Sequence, residues 1–539
     1  MGSTTEQLAA LDAFLRPMSI DVEKCHKLSE RFLQNFIQLS AESLDQFLPT
    51  PISESILRPV ADYGHGRHLA IDIGGTNLRV GFVELLTDEY VAPSSLGITA
   101  KRNGGNGIMD TTSSSTNGHA IPTTPVGRLH RRLEKTWPIS NHLKNDNADS
   151  LFLWIGKCIA EVVQDGCKAL NLPTDTPLPL GITFSFPIEQ PSLERAIISS
   201  MGKGFAIPPR VDLGTQLKTA YNKHRGDNLP PIYVAAIAND SVSTLISFIF
   251  NYDRLAHRRA TMGLILGTGS NATIPVKLSL LHPSKRPENV NVLPNEKVEN
   301  AKIAVNTEWS INGTAPPMRE LGLINGWDDE LSAKNEKPGF QPLEYMTAGR
   351  YLGELGRIML LDYMNRKLSI KTDLLPPKIR KQDSLTTTFL SHFKPLQLPA
   401  LLSALKSEFP EPLGSQFAWT EHHAEALYRI SKAIEVRAAG IIAAAILALL
   451  TLGEEIPLDG SSPAPRSAIR ELGVGYTGGC IVHFQDYLVD CQYFVDQLVK
   501  KRFGDDFPLR VSLKPCHDGG ITGAGILVAA ALSSQATQA

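Results

Sequence analysis

Apolar residues follow two spacings along this chain, and each spacing predicts a different kind of element. A helical spacing runs from Leu8 to Leu44, with an interruption near Pro17, and predicts an N-terminal helical arm. Further helices are predicted around residues 152–162 and 342–364. Short apolar runs rich in β-branched residues predict strands within 68–84, 180–186, 233–238 and 302–309. Because strands alternate with helices, we expect an α/β fold with a mostly parallel sheet.

Two glycine turns each end one apolar strand and open another. The first is Gly74-Gly75-Thr76-Asn77, shortly after Asp72, and the second is Gly267-Thr268-Gly269. Strand residues resume at once after each turn, so the pattern predicts hairpins and fits neither a P-loop nor a dinucleotide fingerprint. Taken alone, either turn is more simply an ordinary tight hairpin. Two matching turns favour a duplicated nest, in which glycines at positive φ let a phosphate approach main-chain amides.

Composition excludes several classes of function. Apolar residues make up 42% of the 539 positions, charged residues 20%, and the net charge is −2, so neither disorder nor a basic nucleic-acid surface is indicated. The six cysteines contain no C-x-x-C pair, which fits a reducing compartment and argues against zinc. The start of the chain does not resemble a secretory signal. We therefore expect a cytoplasmic protein without nucleic-acid partners.

Two segments need separate interpretation. The apolar run 438–450 is shorter than the roughly 18 residues of a membrane span, so it predicts a tightly packed helix and no membrane partner. The segment 92–127 is rich in Ser, Thr, Gly, Asn and Pro and contains few large apolar residues. It is predicted to be a flexible surface insertion.

Three acidic residues are candidates for chemistry. Asp240 follows a predicted strand, where a carboxylate can accept the proton of a hydroxyl that attacks phosphorus. The alternative is that Asp240 caps the helix that begins at Ser241. Glu308 ends another strand-like run, and Glu344 lies in the first turn of a predicted helix. Each glutamate alone is only a weak site candidate, because exposed glutamates are common.

The strings around these residues resemble the eukaryotic hexokinase family, in order, from about residue 10 to 530. They are Leu-Ala-Ile-Asp72-Ile-Gly-Gly-Thr-Asn, Thr183-Phe-Ser185-Phe-Pro, Lys203-Gly-Phe, Asn239-Asp240, Gly267-Thr-Gly-Ser-Asn-Ala, Asn306-Thr-Glu308-Trp and Gly339-Phe-Gln-Pro-Leu-Glu344. The resemblance implies the two-lobed actin-like ATPase (ribonuclease H-like) fold, with a ligand cleft between a small and a large lobe. Residues 1–60 would form a helical arm on the large lobe, 61–238 the small lobe, and 239–539 the large lobe, with the C-terminal helix returning to the small lobe.

The resemblance also implies roles for individual residues. Asp240 would be the base on the sugar's 6-hydroxyl, and the other hydroxyls would be held by Ser185, Lys203, Asn239, Asn271, Glu308 and Glu344. Asp72 would meet Mg²⁺ through water, and the β- and γ-phosphates of ATP would meet Gly74, Gly75, Thr76, Asn77, Gly267, Thr268 and Gly269. Thr477, Gly519 and Gly520 would lie on the nucleotide side. The expected partners are a sugar and ATP, and the expected state is a monomer or weak homodimer.

Two departures from the family pattern affect specificity. Where hexokinases usually carry Trp-Thr before Lys-Gly-Phe, this chain has Met201-Gly202, which removes a ring and a hydroxyl from the sugar pocket. That string is similar to the fungal N-acetylglucosamine kinases of this family, so we expect formation of N-acetylglucosamine 6-phosphate. The usual Asp-Gly-Ser on the adenosine side is Thr477-Gly478-Gly479 here. Two alternatives stay open: a glucose or mannose kinase, and a hexokinase-like regulatory or sensing protein with little turnover.

Overall fold

The computed structural model describes residues 4–58, 65–86, 129–145, 148–199, 205, 207–414, 416–458 and 468–538. The strands are β1 Leu48–Ser53, β2 Gly66–Ile73, β3 Asn77–Leu85, β4 Leu129–Pro138, β5 Leu178–Phe184, β6 Ile188–Ser192, β7 Arg195–Ile198, β8 Ile232–Asn239, β9 Arg258–Leu266, β10 Ser270–Lys277, β11 Lys302–Asn306, β12 Glu471–Thr477 and β13 Arg510–Pro515. The predicted insertion 92–127 lies outside the described residues.

The helices vary from a single turn to more than thirty residues. They are α1 Thr4–Leu15, α2 Val22–Glu42, α3 Glu54–Leu57, α4 Asn141–Asn145, α5 Ala148–Ala169, α6 Leu213–Arg225, α7 Asp240–Tyr252, α8 Ala315–Glu320, α9 Gly326–Ala333, α10 Pro342–Thr347, α11 Gly349–Arg366, α12 Pro377–Arg380, α13 Thr387–His392, α14 Leu398–Glu408, α15 Glu421–Leu452, α16 Gly479–His483, α17 Tyr487–Phe503 and α18 Gly519–Gln538. The predicted helical arm is confirmed as α1 and α2, separated by a 3₁₀ turn at Arg16–Met18.

The chain forms two compact units. Unit 1 consists of residues 1–58, 187–193 and 239–519, and unit 2 consists of 59–186, 194–238 and 520–539. The first 58 residues thus belong to the same unit as α7 and the strands β9 to β13. All but the first residue of α18 belongs to unit 2.

Each unit is built on a mixed sheet, and the two sheets share a strand pattern. In unit 1 the order is β1-β11-β10-β9-β12-β13, with β9, β10 and β11 antiparallel and β12 and β13 parallel to β9. In unit 2 the order is β4-β3-β2-β5-β8, with β2, β3 and β4 antiparallel and β5 parallel to β2. Both predicted hairpins are therefore confirmed. The prediction of a mostly parallel sheet is wrong, because these hairpins reverse the chain within each sheet.

Glycines let one helix lie close against each sheet. In unit 1, a Cβ on Gly473 would lie 2.4 Å from the ring of Tyr252 on α7. In unit 2, a Cβ on Gly181 would lie 2.3 Å from the carbonyl oxygen of Ala524 on α18. Side chains at these strand positions would separate the layers, so the glycines set the close approach.

Helix α15 is the centre of the unit 1 core and corrects one expectation. The tightly packed helix predicted at 438–450 is confirmed. The length argument is corrected, because the whole helix has 32 residues, with one window of mean hydropathy 2.1. Length and composition would therefore permit a membrane span. Because 89% of that window is buried within the protein, α15 is instead explained as a core helix, packed against α2 and α17.

The helix predicted from 342 to 364 is broken in two. Ala348 has φ −104° and ψ 148°, an extended conformation that separates α10 from α11. The break lets the amide of Gly349 donate to the carbonyl of Gly267 at 2.8 Å, and that of Arg350 donate to Thr268 at 3.2 Å. The start of α11 is thus tied to the glycine turn between β9 and β10, since amides at a helix start lack partners within the helix.

Candidate active site

The start of α7 carries the Asn239-Asp240 pair. Asn239 is buried and is the N-cap, because its Oδ1 accepts from the amide of Ser241 at 2.9 Å and from the hydroxyl of Ser241 at 2.8 Å. The alternative interpretation, that Asp240 caps this helix, is therefore wrong. Asp240 is the first helical residue, where the helix dipole favours a carboxylate.

An amide and carboxylate cluster lies at the end of β11. Asn306 Nδ2 donates to Glu308 Oε1 at 2.8 Å, and Asn271 Nδ2 donates to Asn306 Oδ1 at 2.8 Å. Asn271 Nδ2 also lies 3.4 Å from Glu308 Oε1. Antiparallel pairing of β10 with β11 brings these groups together. The hydroxyl of Ser241 reaches Asn306 Oδ1 at 3.4 Å and so connects the cluster to the start of α7.

The backbone of Glu308 is held in an unusual conformation. Its φ is +44°, a region that costs a non-glycine residue about 1–3 kcal/mol. Gln46, which is buried, donates its side-chain amide to the Glu308 carbonyl at 3.0 Å. The next residue, Trp309, is fully buried and donates its indole N–H to Ser270 Oγ at 3.0 Å. Support on both sides therefore fixes the direction of the Glu308 side chain.

Glu344 contacts the glycine turn of unit 1. Its Oε2 accepts from the amide of Ser270 at 3.0 Å, and a Cβ on Gly269 would lie only 2.9 Å from that same oxygen. Burial raises the pKa of the neighbouring Tyr351 above its usual range, and the Glu344 carboxylate adds to the rise. The turn expected to meet nucleotide is thus in direct contact with a carboxylate expected to bind sugar.

The glycines of the two turns act differently from the prediction. Positive φ was expected, but Gly74, Gly267 and Gly269 all have φ outside the left-handed region. Close neighbouring atoms explain these glycines instead. A Cβ on Gly74 would lie 3.3 Å from the Asn77 carbonyl, and a Cβ on Gly267 would lie 3.4 Å from the Cα of Gly478. The nest at positive φ is therefore a wrong prediction, whereas the close approach of other groups is observed.

The site candidates of unit 2 surround the end of β2. Asp72 Oδ2 lies 3.9 Å from Arg79 Nη1, and a Cβ on Gly520 would lie 2.5 Å from the same oxygen. Thr183 Oγ1 donates to the carbonyl of Gly520 at 2.8 Å, which fixes the start of α18 beside Asp72. The absence of a Cβ at Gly520 therefore leaves a cradle around the carboxylate.

The first glycine turn lies beside that cradle. Gly74 donates its amide to Asn77 at 3.0 Å, and Ile139 donates its amide to the Thr76 carbonyl at 2.8 Å. The side chains of Thr76 and Asn77 are exposed. The amide of Ser185 donates to the carbonyl of Ile73 at 3.1 Å, so β5 ends next to the turn.

The donor set around Asp72 fits Mg²⁺ better than a cation that needs a full protein cage. Across the part of the chain that the structure describes, no three His, Cys, Asp or Glu side chains are grouped to hold a metal ion. Mg²⁺ commonly takes one or two carboxylates and fills its other positions with water and phosphate oxygens. A single carboxylate at Asp72 beside an exposed turn fits this coordination pattern.

Two of the candidates predicted for the nucleotide side lie near the second turn and near α7. Thr477 ends β12, and a Cβ on Gly478 beside it would lie 2.4 Å from the Leu266 carbonyl carbon, at the second turn. A Cβ on Gly519 would lie 2.8 Å from Thr244 Cα on α7. Gly202 and Lys203 lie outside the described residues, so their predicted roles stay predictions.

The structure groups the other candidates by unit. Unit 1 holds Asn239, Asp240, Gly267, Thr268, Gly269, Asn271, Glu308, Glu344, Thr477 and Gly519, and unit 2 holds Asp72, Gly74, Gly75, Thr76, Asn77, Ser185 and Gly520. Sequence reasoning assigned no site role to Asn306, Ser241 or Gln46. Asn306 could have been identified from the sequence, because it is a polar residue that ends an apolar strand. No sequence pattern marks Gln46.

Comparisons with known proteins agree with this geometry. Two hexokinase family models match residues 10–250 and 261–530. The chain is 26% identical over 474 residues to Hexokinase-9 of Oryza sativa subsp. japonica, covering 86% of this chain and 78% of the relative. It is 30% identical over 309 residues to Hexokinase-2 of Candida albicans, covering 56% of this chain and 51% of the relative. The structure of hexokinase from Schistosoma mansoni complexed with glucose matches with a TM-score of 0.70 and 21% identity, covering 98% of this chain and 100% of that one. This last match shows the actin-like ATPase fold of sugar kinases.

Proposed function

This chain belongs to the hexokinase family and is an ATP-dependent sugar kinase, and from that premise we propose that it phosphorylates the 6-hydroxyl of a glucose-type hexose. The observation that carries the proposal is the cluster of Asn271, Asn306 and Glu308, joined through Ser241 to the start of α7. Each hydroxyl of a sugar both donates and accepts a hydrogen bond, so amides and carboxylates together suit it. Such a site disfavours analogues that lack a hydroxyl, because buried polar groups would lose their partners.

The proposed chemistry assigns a separate task to each unit. In unit 1, Asp240 accepts the proton of the 6-hydroxyl as that oxygen attacks the terminal phosphorus of ATP. The N-cap hydrogen bonds of Asn239 hold the backbone next to this carboxylate in place. In unit 2, Asp72 and the turn Gly74–Asn77 bind the phosphates. Magnesium, when bound there, neutralises phosphate charge.

The choice of sugar differs from the expectation based on sequence alone. The relatives reported above are named hexokinases, which supports a glucose-type substrate. N-acetylglucosamine stays the second candidate, because Met201-Gly202 replaces a ring and a hydroxyl of the family pattern. The larger substituent at carbon 2 of that sugar would need the volume that these two residues release.

A coupled assay of ADP release tests the proposal. The purified chain is given ATP, Mg²⁺ and, in turn, glucose, mannose, fructose, glucosamine or N-acetylglucosamine. We expect the highest kcat/KM on glucose or mannose. A higher value on N-acetylglucosamine would favour the second candidate. Sugar binding without turnover on any member would overturn the kinase proposal in favour of a sensing role.

Location and assembly are further proposals. We propose a cytoplasmic protein, supported by six cysteines that are all free thiols, five of them buried. We also propose a monomer or weak homodimer. Fractionation of cells and light scattering of the purified chain test these two points separately.

A further inference from the structure

We propose that Asn306 is a positioning residue for sugar binding, which sets the Glu308 carboxylate and the Asn271 amide in their productive orientations. The inference rests on the proposed function, since it gives Glu308 and Asn271 their sugar-binding roles. Asn306 is 3% exposed, ends β11 and contacts both of these residues. Its effect on the sugar would therefore pass through its neighbours.

The hydrogen bonds around Asn306 fix which way its amide points. Its Oδ1 accepts from Asn271 Nδ2 at 2.8 Å and from the amide of Glu308 at 3.3 Å. The hydroxyl of Ser241, which donates to Asn239 Oδ1 at 2.8 Å, lies 3.4 Å away. Its Nδ2 donates to Glu308 Oε1 at 2.8 Å. A flipped amide would set an oxygen against the carboxylate and an NH₂ group against these donors. Only the observed orientation gives both N–H donors an acceptor and gives the carboxylate a donor.

These contacts distinguish positioning from a purely structural role. The backbone of Asn306 already pairs with β10 and β1, opposite Thr273 and Leu48, and any non-proline residue can make those bonds. The side chain adds nothing to that ladder. Its hydrogen bonds go instead to Glu308, Asn271 and Ser241. A buried amide that donates to a carboxylate forms a charge-assisted bond, which is stronger than a neutral one and fixes direction.

Different groups hold the main chain and the carboxylate of Glu308: Gln46 contacts its carbonyl, whereas Asn306 and Asn271 contact its carboxylate at 2.8 Å and 3.4 Å. The backbone, at φ +44°, is held by Gln46, whose amide donates to the Glu308 carbonyl at 3.0 Å. Gln46 is itself anchored by Lys285, whose Nζ donates to the Gln46 carbonyl at 2.7 Å. Replacing only the Asn306 Nδ2 donor would thus leave both main-chain contacts of Glu308 in place, from Gln46 to its carbonyl and from its amide to Asn306 Oδ1, and would weaken the hold on its carboxylate.

The test is Asn306→Asp, which keeps the shape of the side chain and replaces the NH₂ donor by oxygen. Two carboxylates would then face each other, and the sugar KM is expected to rise about 10-fold to 100-fold, as for loss of a charge-assisted bond. The KM for ATP should change less than about 3-fold, because the turns remain intact. Lower pH should reduce the sugar KM of the variant toward the wild-type value, since one shared proton restores a donor between the carboxyls. Asp240 and Glu344 are present in both proteins, so the wild-type pH profile is the reference.

Asn335→Asp is the matched control. Asn335 also donates a part-buried side-chain amide, to the carbonyl of Leu331 at 2.9 Å, but it contacts none of the sugar candidates. This control should leave both KM values unchanged. If Asn306→Asp does not fold, Asn306→Ser, which retains a hydroxyl donor, should raise the sugar KM about 10-fold.

The outcomes separate this inference from the proposed function. If the wild-type chain phosphorylates no sugar, the proposed function fails before any variant is measured. If the wild-type chain is active and the folded Asn306 variant keeps the wild-type sugar KM, or loses affinity for sugar and ATP equally, the positioning role is refuted and the kinase assignment stands.

Discussion

The two glycine turns occupy matching places in matching sheets, yet their surroundings differ. Each turn joins a central strand to its antiparallel neighbour, β2 to β3 in unit 2 and β9 to β10 in unit 1. The turn of unit 1 is closed by the amide of Gly267, which donates to the Gly269 carbonyl at 3.0 Å, and it is also held by Glu344 and by the first amides of α11. The turn of unit 2 is held by main-chain bonds at Gly74 and Thr76, and its Thr76 and Asn77 side chains are exposed.

This difference shows that one strand pattern can hold its turn in two ways. A turn fixed by a side chain from a distant helix has its shape set by that helix. A turn whose side chains are exposed, as Thr76 and Asn77 are, keeps those groups available to a ligand. We infer that unit 1 couples its turn to sugar recognition, whereas unit 2 presents its turn to phosphate and metal. Substitutions in the two units should then have different kinetic signatures.

The largest effect is expected at Asp240, in unit 1. Asp240→Asn keeps the size of the side chain but removes the proton acceptor, so kcat should fall about 10²-fold to 10⁴-fold. Sugar affinity measured by calorimetry should stay within a few-fold of wild type. An unchanged kcat would show that another group accepts the proton.

The corresponding change in unit 2 is Asp72→Asn. Removing the carboxylate should lower activity or Mg²⁺ affinity about 10-fold to 100-fold, with little effect on the sugar KM. Titration of activity with Mg²⁺ at saturating sugar measures the shift. If instead the sugar KM rises and the Mg²⁺ requirement stays the same, the division of tasks between the units is wrong.

Equivalent glycine substitutions in the two turns sharpen the comparison. Gly269→Ala places a Cβ 2.9 Å from Glu344 Oε2, so the carboxylate must move and the sugar KM should rise about 10-fold. Gly74→Ala meets only the Asn77 carbonyl at 3.3 Å, so its smaller effect should appear in the KM for ATP. Steady-state kinetics with each substrate varied in turn measures both. If Gly269→Ala leaves the sugar KM unchanged, the turn of unit 1 is not coupled to sugar recognition.

The smallest expected effect concerns stability and compares the two glycines beneath the packed helices. A Cβ at residue 181 meets the main chain of Ala524, whereas one at residue 473 meets ring atoms of Tyr252 and Phe248, and side chains shift more readily than main chain. Gly181→Ala should therefore destabilise more than Gly473→Ala, within the range of about 1–3 kcal/mol typical of overpacking. Urea unfolding measures both variants. The reverse order would mean that the helix of unit 2 moves more easily than a tyrosine ring.

The sequence predicted those features that depend on neighbouring residues. Both hairpins followed from glycine turns between β-branched runs, and α2 followed from its apolar spacing. Features that depend on distant residues were not predictable. The break at Ala348 requires the carbonyls of the second turn, and the capping role passes to Asn239 because Ser241 lies where its side chain can reach.

The candidate site follows the same rule. Asp240, Glu308 and Glu344 were identifiable from the ends of predicted elements and from family resemblance. The role of Asn306 depends on the register between β10 and β11, and the role of Gln46 depends on how the segment after α2 packs. No local pattern encodes either contact. The glycines of the two turns were identified from the sequence, but the physical reason predicted for them was wrong. The atoms that a Cβ would meet are known only from the three-dimensional structure.

The burial of α15 has a consequence for the order in which unit 1 can be completed. This 32-residue apolar helix packs against α2, which is synthesised before it, and against α17, which follows it in the chain. While the ribosome is still translating residues 453–486, one side of the helix has no partner from α17. A released chain that ends there would display that apolar surface, so chaperones should retain it. Any product shortened before Tyr487 should aggregate even though Asn271, Asn306 and Glu308 are already present.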